Sequence, residues 1–201
     1  MKPKKSYWII SFVIMLLLII IVTLDFQKDG YEKSFEEELR YYENLKTRNV
    51  EEDLQFALIL SNDNKVEIAK STYRSILEKS PVNEMANHRM AILATDDGNL
   101  AEAKKYFEKN IQTNSQNQVN YYNYALLFLV EDLDHAGSMM TKALEFSDEE
   151  HKQFYKNWIN IIESIKKDEL RGYQNLMKND DFYLPNVIKL QIEDKLSGEK
   201  I

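Results

Sequence analysis

The sequence predicts an all-α chain: an N-terminal transmembrane helix followed by an α-solenoid of antiparallel helix pairs. Three observations predict it. Residues 7–24 form an apolar run broken only by Ser11 and Thr23 and free of charge. Downstream, Ala57, Ala91 and Ala125 are 34 residues apart, as are Ala69 and Ala103, and a fixed period of that size marks stacked helical repeats. The whole chain of 201 residues holds only 5 Gly and 3 Pro, too few for a β architecture that needs a turn every ~8–12 residues.

Composition narrows the function classes. With 29% charged and 44% hydrophobic residues the chain can bury a core. A net charge of −7 argues against nucleic-acid binding. The absence of cysteine excludes disulfides, thiolate zinc sites and iron–sulfur clusters.

The first element is the anchor. Eighteen helical residues rise about 27 Å, close to the thickness of a bilayer's hydrocarbon core. Tyr7 and Trp8 stand at one end, preceded by Lys2, Lys4 and Lys5 and followed at the other end by Asp25. Aromatic rings favour the interface and basic flanks stay cytoplasmic. Residues 1–6 are therefore expected as a cytoplasmic tail and 25–201 as an extracytoplasmic, periplasmic domain of a single-pass inner-membrane protein. A cleaved signal peptide is the rival. Its apolar region is usually ~7–15 residues with a small-x-small site after it, and Val22-Thr23-Leu24-Asp25-Phe26 offers none. All 33 acidic residues lie from Asp25 onward, with all of the 26 basic ones except Lys2, Lys4 and Lys5, so the external part carries −10.

Residues 25–48 read as a linker and a leading helix over 31–47. Tyr31, Phe35, Leu39, Tyr42 and Leu45 recur at steps of three and four, one helical face, and Ser34 with Glu37 has capping-box spacing. Residues 49–148 then hold helices in pairs. Small residues at Ala57 and Ala69, and again at Ala91 and Ala103, let two helices of a pair cross closely. Asp97-Gly98 turns the chain between them. Pro81 fits the first turn of the following helix, where a missing N–H costs nothing.

These residues resemble the tetratricopeptide repeat family, whose unit reads W-x2-L-G-x2-Y, then A-x3-F, then P. One unit offers Asp53, Phe56, Ala57, Leu60, Ala69, Tyr73 and Pro81. The next offers Asn87, Met90, Ala91, Ala94, Ala103, Phe107 and Ser115. A third offers Tyr121, Tyr124, Ala125, Phe128, Ala136, Met140 and Asp148. The pattern's Trp is replaced by Asp53 and Asn87, and its closing Pro by Ser115 and Asp148. The likeness covers about half the chain, residues 50–148.

Residues 149–201 read as a degenerate fourth unit and a capping helix. Phe154, Trp158, Ile161, Ile162 and Ile165 share a face of one helix. Leu170, Tyr173, Leu176 and Met177 share a face of the next. Trp158 stands where a small residue is expected. Asn179–Pro185 ends that pair. A last helix over 186–196 presents Val187, Ile188, Leu190 and Ile192 as the end cap that a solenoid needs.

Catalytic and metal constellations are absent from the sequence. His88, His135 and His151 fall in different units and none has metal-ligand spacing. Asp96-Asp97 and Asp180-Asp181 read as helix ends. No enzyme activity, cofactor, metal or small-molecule substrate is expected. What remains is recognition of protein partners, with the bilayer as the partner of residues 7–24. The resemblance implies a concave groove lined by the first helix of each unit. In the first unit it assigns Leu54, Leu58 and Ser61 to that groove. From the second and third it assigns His88, Ile92, Thr95, Val119, Tyr122, Leu126, Leu129 and Val130, with Tyr122 the exposed anchor. The third unit's set is strongly apolar: either it receives a partner or the helices that follow cover it. Relatives that clamp acidic chaperone tails place lysines in the groove. The corresponding places hold Leu54, Leu58, Arg89, Val119 and Asn123; only Arg89 and Asn123 are polar and the lysines are missing, so an amphipathic helix or apolar extended segment fits better. The expected function is a membrane-anchored scaffold in a cell-envelope assembly for secretion, motility or division. The alternative is an envelope chaperone or translocon accessory holding unfolded clients.

Overall fold

A computed structural model describes residues 36–45, 47–63, 65–113 and 116–198, and among the described residues all regular structure is helical. Contacts divide the chain into two compact units, residues 1–69 and 70–201.

The first unit contains α1 (residues 36–44) and α2 (Val50–Asn62). Asn49 starts α2 with a full capping box: its side chain accepts from Glu52 N at 3.0 Å, and its backbone N–H donates to Glu52 Oε2 at 2.8 Å. Asp53, the odd residue in the repeat pattern, is buried and accepts from Arg48 Nε at 2.8 Å. The Arg48 guanidinium lies over the Phe56 ring at 4.2 Å, a cation–π contact. Leu39, Phe56, Ala57, Leu60 and Ala69 are buried. Tyr31, Ser34 and Phe35 of the predicted leading helix, and the whole predicted anchor 7–24, lie outside the described residues. Among the described residues no helix is long and apolar enough to cross a membrane.

The unit boundary falls within α3 (Val66–Lys79). The second unit continues with α4 (Glu84–Asp96), α5 (Leu100–Gln112), α6 (Gln118–Leu126), α7 (Leu133–Glu145), α8 (Lys152–Lys167), α9 (Glu169–Met177) and α10 (Asn186–Ser197). From α4 onward each helix packs on the next, and α10 returns to touch α4. Short polar caps set the starts. Asn83, Asn99, Asn117, Asp132 and Asp168 each accept from a backbone N–H in the first turn of the helix they precede. Gly98 turns α4 into α5 with φ +77°, a conformation that L side chains rarely adopt. Ala91, Ala103, Ala125 and Ala136 have no exposed surface, and Phe107 and Met140 fill the space between their helices equally completely. Burying a side chain of that size contributes roughly 1.5–3 kcal/mol.

Several local expectations are corrected. Pro81 precedes the helix rather than opening it: α4 starts after Asn83, and the Pro81 carbonyl accepts from the buried Asn87 Nδ2 at 3.1 Å. α6 ends at Leu126, and Leu127–Leu129 follow as tight turns with N–H bonds to carbonyls three residues back. Trp158 is fully buried, and the small residue at the α8–α9 contact is Gly172, where a Cβ would lie 2.5 Å from Ile165 Cα. Leu190 and Leu170 are exposed. Ile188 and Ile192 are one turn apart and point inward, whereas Leu190 lies between them, about 200° around the helix from either. Leu170 is likewise solvated beside buried Tyr173.

Candidate partner-binding groove

The eight predicted groove residues all lie in the second unit, on α4, α6 and the turn after it. They have unequal access. Thr95, Leu126 and Leu129 are buried. His88, Ile92, Tyr122 and Val130 are half-buried, and Val119 is exposed.

The chain's own C-terminal segment accounts for much of this cover. Leu126 and Leu129 belong to the same apolar cluster as Leu184, Ile188 and Ile192. The Tyr122 hydroxyl donates to the Tyr183 carbonyl at 3.4 Å, and its ring stacks edge-on against Phe154, Tyr155 and Trp158. Burial pushes the Tyr122 phenol far above its usual range. Tyr122 is thus a packed aromatic, not an exposed anchor. Phe182 lies 4.7 Å from Trp158 between ring centroids, and Val187 faces Gly98. Lys195 Nζ donates to the Val130 carbonyl at 3.3 Å. Thr95 is sealed locally, its hydroxyl donating to Ala91 O at 2.9 Å.

At the other end the surface is open. Glu84, Met85, His88, Arg89, Asn117 and Val119 line a cleft of about 360 Å³ between the N-terminal ends of α4 and α6. Met85 is 51% exposed, Val119 40%, and nearby in sequence Val82 57%. The apolar rim sits on a rigid polar floor. Asn120, fully buried, donates through Nδ2 to Glu84 Oε1 at 2.7 Å. A carboxylate only accepts, so this bond fixes the amide orientation and makes Oδ1 the acceptor from His88 Nδ1 at 2.7 Å. Asn110 adds bonds to Asn120 Oδ1 and to the Glu84 carbonyl. Burial lowers the His88 pKa from its ordinary value, partly opposed by the Asn120 bond. The neutral ring therefore tightens α4 against α6. Arg89 Nε, also at this cleft, is buried and finds no hydrogen-bond partner among the described residues.

Sequence reasoning identified His88 and Val119 here but not Met85, Val82 or the Glu84–Asn120 floor. Met85 and Val82 lie outside the groove positions that a repeat pattern assigns. Among the described residues no cluster of His, Cys, Asp or Glu could hold a metal ion. His135 packs on Phe128 at 4.2 Å and His151 pairs with Asp148 at 2.6 Å, far apart in the chain from His88. No protein-family model and no curated protein matches the chain.

Proposed function

We propose that the chain is a tetratricopeptide-type scaffold that acts by binding protein partners, and that the cleft between the starts of α4 and α6 is its open docking point. The observation that carries this reading is the exposed apolar rim of Met85 and Val119 above a hydrogen-bonded floor. Apolar side chains held on rigid helices offer a partner surface at little entropic cost. The repeat reading is supported by the complete burial of Ala91, Ala103, Ala125 and Ala136, as expected of small residues between closely paired helices.

In this reading residues 7–24 anchor the chain in the inner membrane with the helical part outside the cytoplasm, in an envelope assembly. Protease treatment of spheroplasts tests the orientation: residues 25–201 become accessible, and full protection would refute the placement. Purification from crosslinked membranes tests the scaffold role. It returns a discrete, stoichiometric partner set. A broad mixture of nascent envelope proteins would instead favour a chaperone that holds clients.

A further inference from the structure

The segment 182–196 is seated as a ligand would be on the face built from α4, α6, α8 and α9. It is tied there by Leu184, Ile188 and Ile192, all buried, and by Lys195. Lys195 reaches into a recess whose charged lining is mostly carboxylate. A cleft of about 600 Å³ is lined there by Glu131, Asp132, Asp134 and Glu169. Lys195 pairs with Glu169, donates to the Val130 carbonyl, and its ammonium lies 5.5 Å from the Tyr173 ring centroid. Lys166, which also lines the recess, is already engaged by Asp134 and Glu163.

The hold on this segment is slight beside that on the other helices. It follows a link, residues 178–185, without regular structure. α10 starts at Pro185 with no side-chain cap, as α8 does at His151, whereas α4, α5, α6, α7 and α9 all have one. Of its twelve residues only Ile188 and Ile192 are buried.

We propose that 182–196 is an internal stand-in for a partner helix, and that the surface beneath it is a second, covered docking site. Its occupant is an amphipathic helix with aliphatic residues at three positions four apart and a basic residue three positions later, the chemistry of Leu184, Ile188, Ile192 and Lys195. A partner segment of that pattern displaces α10 by competition. This rests on the reading that the chain acts through protein partners, and it names the partner's chemistry.

The test uses the full chain in detergent micelles. Hydrogen–deuterium exchange of the wild type comes first: α10 amides exchange about ten-fold or more faster than those of α4–α7, as a locally detachable element does. Equal protection would overturn the proposal. The second arm is a fluorescent peptide of residues 182–198 added to wild type and to the double variant Ile188→Asp, Ile192→Asp. The variant unfolds cooperatively like the wild type and binds the peptide about ten-fold or more tightly, because the tethered competitor is removed. The same peptide carrying both Asp substitutions does not bind. A variant without cooperative unfolding, or equal peptide binding by both proteins, would mark α10 as fixed core and overturn the proposal. Either failure leaves the Met85–Val119 cleft untouched, since that site is probed separately by crosslinking at residue 119.

Discussion

His88 on α4 and Asn120 on α6 are joined side chain to side chain at 2.7 Å, with Nδ1 donating to an oxygen whose orientation Glu84 fixes. Protonation keeps that donor in place, so the acid sensitivity of the cleft's base comes from burial of the ring, which disfavours its charged form. Burial lowers the folded-state pKa of His88. The unfolded chain therefore takes up its proton first, near the ordinary value of about 6.5. Stability from this group is complete above that pH and is lost as pH falls toward the folded pKa. His151 runs the other way: its bond to Asp148 raises its pKa, so its contribution is present at low pH and fades as pH rises. His151 is fully exposed and weakly felt through solvent. The urea midpoint is thus expected to fall between about pH 7.5 and pH 5.5. In His88→Gln the unfolding free energy is lower by about 1 kcal/mol at neutral pH, with the acid-dependent part removed.

Packing at the helix crossings gives a second expectation. Ala91 is fully buried, and Ala101, on the following helix, is exposed. Ala91→Leu forces extra volume into a closed contact and should cost roughly 1–3 kcal/mol. Ala101→Leu should stay within about 0.5 kcal/mol of wild type. Thermal or urea unfolding of the two variants separates a true crossing position from chance spacing.

Two helical glycines are predicted to respond in opposite directions. Alanine is about 1 kcal/mol better than glycine inside a helix. At Gly137 the added Cβ meets Ile162 Cγ2 at 3.6 Å, an ordinary contact, so Gly137→Ala should be neutral or stabilising. At Gly172 it would lie 2.5 Å from the Ile165 Cα, which cannot swing aside. Gly172→Ala should therefore destabilise by roughly 1–3 kcal/mol despite the propensity gain. Unfolding midpoints of the pair decide it.

The helical elements were legible because their signals are local and repeated. The Asp97-Gly98 turn and the Pro185 break are each written in a few neighbouring residues, the alanines recur at a fixed spacing of 34, and all correspond to observed features. The face-by-face assignment was weaker. Leu190 and Leu170 fit a loose apolar stripe, but exact orientation depends on which helix lies opposite. The candidate site suffered most from long-range contacts. Nothing near Tyr122 in sequence announces Tyr183, 61 residues later, or that Lys195 reaches Val130. Whether the apolar α6 surface is open or covered was the one question that periodicity left undecided, and the returning C-terminal segment covers much of it. Asp53 was an unexplained departure until Arg48 and Phe56 stood beside it.

The central claim is that the rim of Met85 and Val119 touches a partner protein. Substituting a photoreactive amino acid at Val119 in the full chain, and at exposed Ser138 on α7 as control, tests it in living cells. The account predicts a discrete crosslinked species from position 119, absent from position 138 and abolished by Met85→Glu with the fold retained. No product at 119, or the same products from both positions, would contradict it.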